Sequence, residues 1–182
     1  MPNGVTPDGS KLIVLDRFND LFLLDLARSG QLQPLLHSGF DERLGEVSPD
    51  GRWIAYESDE SGKQFEVILR SFPNVSERRE VISVGGGRYP RWGPKGSNEL
   101  YYVRADGALM AASIRLSPFE LGSSKKLFDW RKPRPNVSGL EYDVAPDGRF
   151  LVSELAETIA DRQTAVSVIL NWRPTLQPSA GQ

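Results

Sequence analysis

An all-β fold, a propeller of about four four-stranded antiparallel blades, is predicted by three observations. A four-residue turn recurs as Thr6-Pro7-Asp8-Gly9, Ser48-Pro49-Asp50-Gly51, Gly93-Pro94-Lys95-Gly96 and Ala145-Pro146-Asp147-Gly148. Its third position steps by 42, 45 and 52 residues. Each copy precedes a short apolar run. No segment carries a convincing helical period, and 154–160 reads as part of a loop between strands. A repeat in this range, with four short strands per copy, marks propeller blades.

The turn has a mechanism. Proline presets φ at the second position, and glycine takes the left-handed position that closes a bulged hairpin. In the third copy Lys95 replaces aspartate, while the proline and glycine remain.

The strands follow in order. Short inner strands precede three turns, at 45–47, 89–92 and 141–144. The first blade has only residues 1–5 before its turn and shows no clear inner strand. Second strands read at 11–15, 52–56, 99–103 and 149–152, and third strands at 21–26, 65–69, 108–114 and 165–170. Outer strands read at 32–36, 79–84 and 125–128, and none is evident after Trp172. Runs such as Trp53-Ile54-Ala55-Tyr56 are apolar on both alternations, as expected for a strand covered on both faces. The blades are placed at about 1–44, 45–88, 89–139 and 140–176, forming one domain, with 177–182 as a frayed polar tail.

These residues resemble the TolB-like family of β-propellers, whose repeats carry a Ser-Pro-Asp-Gly turn. Residues 48–58 form one such repeat. Gly85-Gly86-Gly87-Arg88-Tyr89-Pro90-Arg91-Trp92 leading into Glu99-Leu100-Tyr101-Tyr102 is more specific. So is Tyr142-Asp143-Val144-Ala145-Pro146-Asp147-Gly148-Arg149-Phe150 followed by Val168-Ile169-Leu170-Asn171-Trp172. Together they are similar to the closing blades of propellers fused C-terminally to bacterial serine/threonine kinases and related signalling proteins. The resemblance implies a non-catalytic sensing or interaction domain, located outside the cytoplasm. Such propellers usually have six or more blades, so four blades resemble the C-terminal portion of a larger ring. Kinase catalytic-loop and Asp-Phe-Gly motifs are absent.

Composition sets further bounds. A chain of 182 residues buries roughly 70% of its unfolded surface. A net charge of −2 implies no nucleic-acid partner. No signal peptide or apolar membrane span is read, so membrane insertion is not expected. Without cysteine, disulfides and thiolate metal sites are excluded.

Catalytic chemistry is sought and not found. His37 is the only histidine, at the end of an outer strand, and no Gly-x-Ser-x-Gly elbow accompanies it. Asp59-Glu60 matches no calcium-loop spacing and reads as a solvated turn. Gly85-Gly86-Gly87 is followed by a strand rather than the helix N-terminus a phosphate cradle needs. Trp53, Trp92 and Trp172 read as core. No cofactor, no metal and no enzymatic activity are expected.

What remains is a binding face. Loops joining one blade's outer strand to the next inner strand ring the channel mouth, here 39–45, 85–89 and 130–139. They carry Asp41, Glu42, Arg43, Arg88, Arg91, Arg131, Lys132 and Arg134, with Tyr89 and Tyr142 nearby. Arginine with tyrosine is the composition of binding hot spots. The expected partner surface is therefore Arg43, Arg88, Tyr89, Arg91, Arg131, Arg134 and Tyr142, and its ligand a protein or peptide, acidic at the 131–135 loop. The alternative is the propeller gate of a prolyl-oligopeptidase-type serine hydrolase whose catalytic domain lies outside this chain. A glycan-processing propeller ranks lower, because the usual Ser-x-Asp-x-Gly-x-Thr-Trp turn is missing. Incomplete ends leave two options, a tight four-bladed ring with 4–5 or 172–176 completing a blade, or two open terminal faces; the second is expected, and with it a head-to-tail homodimer.

Overall fold

The computed structural model describes residues 1–27, 30–62, 64–130, 142–153 and 166–169. They form four antiparallel sheets in chain order, with no helix among them. The first sheet runs β1 (Pro2–Val5), β2 (Lys11–Leu15), β3 (Leu21–Asp25), β4 (Leu32–Leu36). The second runs β5 (Glu42–Val47), β6 (Trp53–Ser58), β7 (Glu66–Ser71), β8 (Arg79–Val81). The third runs β9 (Gly87–Trp92), β10 (Glu99–Arg104), β11 (Ala108–Leu116), β12 (Phe119–Asp129). The fourth has β13 (Tyr142–Val144), β14 (Phe150–Ser153) and β15 (Val166–Ile169). This is the architecture of a partial propeller, each sheet a blade. An outer strand for the fourth blade and the packing of Trp172 lie outside the described residues.

The turns are built as their residue types require. In the first, Gly9 N–H donates to Thr6 O at 2.8 Å, and Asp8 accepts from the Thr6 hydroxyl at 2.6 Å and from Ser10 N–H at 3.0 Å. Ser48, Asp50 and Gly51 repeat the set. Gly9, Gly51, Gly96 and Gly148 have φ of 70°, 72°, 89° and 83°. The Lys95 copy departs from the pattern. Its bond runs from Ser97 N–H to Pro94 O, one residue later, and Asn98 adds a left-handed residue at φ 54°. Glycine at 93 has no hydroxyl and lysine at 95 no acceptor for the downstream amide, so the turn slides before β10 begins.

The first blade does have an inner strand, contrary to the sequence expectation. Its Pro-Asn-Gly-Val residues have weak strand propensity, but β2 supplies the pairing, with Gly4 opposite Ile13 and Val5 opposite Leu12. A Cβ on Gly4 would sit 3.1 Å from Gly45 O on β5, so the two inner strands approach closely there. The third outer strand is also longer than expected. Leu116 and Phe119 pair across a tight turn, and β12 runs to Asp129.

The core lies between blades. Ile13, Leu21, Leu23, Val47, Ile54, Tyr56 and Ile68 join the first two. Trp53, Ala55, Val67, Leu69, Trp92, Leu100, Tyr102 and Met110 join the second and third. Tyr89, Tyr101, Leu109, Leu127, Tyr142, Phe150 and Val152 join the third and fourth. The core assignment of Trp53 and Trp92 therefore holds.

Candidate functional site

Alternation along the blades puts the Pro-Asp-Gly turns at one end and the outer-to-inner loops at the other. Hydrogen bonds knit that second end. Asn19 Nδ2 donates to Asp41 Oδ1 at 3.1 Å, Glu42 N–H to Asn19 O at 2.7 Å, and Asp41 N–H to Asp59 Oδ1 at 2.9 Å.

Arg43 on β5 and Arg88 on β9 meet there. Their guanidiniums lie 5.0 and 4.8 Å from the ring centre of Phe65, a half-buried residue at the entry to β7, and Arg88 also lies 5.0 Å over Tyr89. Each cation–π contact contributes about 0.5–1 kcal/mol at exposed sites. Arg43 pairs with Asp41, and its Nε is buried without a hydrogen-bond acceptor among the described residues. Arg88 Nη2 donates to Glu57 Oε1 at 2.9 Å, and Tyr89 N–H donates to Glu57 Oε2 at 3.0 Å. Phe65 was invisible as a site residue, because in sequence it only opens a strand.

Arg91 lies three residues further along β9, away from Phe65. Its Nη1 is 3.4 Å from Glu46 Oε2 and its Nε 3.8 Å from Asp143 Oδ1, so the pairs cross from β5 to β9 to β13. Burial pushes the Glu46 carboxyl up to about 7, against the pull of Arg91. Tyr89 and Tyr142 are buried, and Tyr142 O–H donates to Tyr89 O at 2.8 Å. Their place is in the junction between blades, where the Tyr89 ring underlies Arg88 and Tyr142 holds the Tyr89 carbonyl. Arg131, Lys132 and Arg134 lie outside the described residues.

The other sequence motifs are occupied by the chain itself. Gly86 N–H donates to Glu66 Oε1 at 2.9 Å, and the Ser83 hydroxyl donates to the same carboxylate, so the glycine loop wraps an internal acid. Glu60 pairs with Arg79 and Asp59 caps Asp41. His37 is exposed, with Nδ1 2.7 Å from Asp20 Oδ2, while the Ser38 hydroxyl donates to Glu42. Burial raises the Glu42 carboxyl, and the Ser38 bond opposes that. No metal-ligating cluster occurs among the described residues. No helix among them is long and apolar enough to cross a membrane. At the opposite end, the displaced third turn leaves a cavity of about 260 Å³ lined by Pro49, Trp92, Pro94, Asn98 and Leu116.

The fold is that of a TolB-like β-propeller. Solved structures similar to the chain include a TolB-type protein from Agrobacterium tumefaciens, 23% identical over 70% of this chain and 48% of that one, TM-score 0.56. A puromycin-hydrolysing peptidase from Mycobacterium tuberculosis is 15% identical over 82% of this chain and 27% of its own, TM-score 0.59. The tricorn protease is 13% identical over 82% of this chain and 18% of its own, TM-score 0.53. The chain thus spans half or less of these structural relatives. No family model matches it, and no curated protein does.

Proposed function

We propose that the chain is a non-enzymatic, cofactor-free TolB-like propeller that binds a protein or peptide at its outer-to-inner loop end. The carrying observation is the convergence of Arg43 and Arg88 on Phe65, two cations over one half-buried aromatic ring between neighbouring blades. Such residues dominate protein interfaces energetically, and propellers use their loop ends for binding. A sensing role of the kind seen in kinase-linked propellers is part of this reading and rests on sequence resemblance alone.

Selection of a displayed peptide library against the purified chain tests it. Selected peptides are expected to bind Phe65→Ala at least about tenfold more weakly, an effect of about 1.4 kcal/mol. Peptides that tolerate Phe65→Ala and Arg43→Ala but lose binding with Leu116→Asp would move the site to the turn-end cavity and refute the assignment. Turnover of peptidase, esterase or phosphotransfer substrates that tracks the pure chain would refute the non-enzymatic part.

A second reading is a propeller gate for a serine hydrolase, which the structural likeness to two peptidases favours. An α/β-hydrolase encoded in the same polypeptide or beside it would support that reading instead.

A further inference from the structure

Among the described residues, nothing packs against one face of the first blade. Two rows of paired residues cross that face from strand to strand. One is Val5, Leu12, Leu24 and Leu32, and the other Pro2, Val14, Phe22 and Pro34. All eight are apolar. None is buried, and Val5 and Leu32 are 55% and 51% exposed. The alternate residues Ile13, Leu21 and Leu23 are buried against the second blade.

The repeat identifies this face. One step of 42 residues carries Leu12 to Ile54 and Val14 to Tyr56, which the second blade buries against the first. The third blade likewise buries Leu100 and Tyr102 against the second. The open face is therefore the one each blade presents to its predecessor. At the other end of the chain, Leu151 is 44% exposed on the side of β14 away from the Tyr142–Phe150 cluster. It pairs with Asp143 and with position 168 in one row.

We infer that the first-blade face is a blade-to-blade junction, filled by the fourth blade of a second copy of this chain. A soluble surface does not keep a four-strand apolar face open. The occupant must be shaped like a blade, because the same positions receive blades elsewhere in the chain. A second copy has a blade to offer at its other end, with Leu151 exposed on it. The contact is heterologous, so two copies related by a two-fold axis make it twice and close a ring. The chain covers 48% of the TolB-type chain, so two copies supply about one full propeller's length.

Light scattering on the purified chain at micromolar concentration tests this. The expected mass is twice 20.3 kDa. Leu24→Lys and Leu151→Lys, each on a solvent-facing position, are expected to run at 20.3 kDa with an unchanged far-ultraviolet circular dichroism spectrum. If Leu24→Lys fails to fold, Val5→Glu on the same row replaces it. Mixing the two monomeric variants leaves one native junction possible, so a dimer is expected to return. A folded wild-type monomer would overturn the inference and leave the face to a blade carried in cis by a longer polypeptide. A dimer that survives both Leu24→Lys and Val5→Glu would overturn it too, as would open polymers. Failure of the mixed variants to pair would replace the head-to-tail contact with a face-to-face one.

Discussion

Arg88→Ala asks how much one partly exposed arginine contributes by covering a buried acid. Glu57 is 0% exposed and Arg88 41% exposed, with Nη2 donating at 2.9 Å. Exposed pairs contribute about 0–1 kcal/mol, and truncating one partner of a buried pair costs about 3–5 kcal/mol. This pair lies between the two, so the expected cost is about 2 kcal/mol. Tyr89 N–H remains as a donor to Glu57 and limits the loss. Glu57→Ala should cost more than Arg88→Ala. It removes the pair and also withdraws the acceptor that the buried Tyr89 amide uses, a further loss of about 1–3 kcal/mol. Urea midpoints at unchanged slope measure each variant. The double variant closes a cycle with a coupling expected at about 1–2 kcal/mol. If Arg88→Ala costs under about 0.5 kcal/mol, or the two changes simply add, the ion pair does not hold the β6–β9 junction as argued.

Gly51→Val and Gly96→Val should each destabilise by about 1–2 kcal/mol, because a β-branched residue is strained at positive φ. No atom lies within 4 Å of a Cβ at either site, so the cost is in the backbone, and an unmoved urea midpoint would count against the turn geometry. Gly45→Ala would put a Cβ 2.8 Å from Leu21 Cδ1 and 3.2 Å from Ile54 Cδ1. A cost of about 1–2 kcal/mol is expected from overpacking, and an unchanged thermal midpoint would show that the first junction yields. Hydrogen bonds from Thr6 and Ser10 lower Asp8 from 3.8 to about 2, and those from Arg104 and Ala108 do the same for Asp106. A depressed folded pKa means stability that is full above 3.8 and lost as pH falls through about 2. Asp8→Asn and Asp106→Asn should each flatten the acid limb of a stability–pH curve between those values, and an unchanged slope would refute the assignment.

What was legible in the sequence is what is decided locally. Proline and glycine set turn geometry within four residues, so the turns and the strands that follow them stand where expected, β2 and β4 to the residue. The inner strand β1 was not legible, because it owes its pairing to β2 and its fit to a glycine facing Gly45 from another blade. The shifted third turn is legible only in hindsight, from the one copy that lacks an acceptor side chain. Among the proposed site residues, Arg43 and Arg88 lie together at one end of the blades, both over Phe65. Tyr89 and Tyr142 occupy the junction instead, because neighbouring blades enclose them, a tertiary fact that local pattern does not carry. Phe65 gave no signal, since its partners come from two different blades.

The hairpin of β11 and β12 reaches beyond its own blade. Phe119 stacks on Trp53 with ring centres 4.3 Å apart, and Arg52 Nη2 donates to Leu116 O at 3.2 Å. Arg78 of the second blade lies 4.1 Å over Phe119. The second and third blades are thus joined twice, by their shared core and by this clasp. In an array whose units touch only their neighbours, stability is graded by such couplings. Amide exchange should therefore be slowest in the second and third blades. The amides of β6, β7, β10 and β11 would be the last to open, and only in the event that unfolds the whole chain.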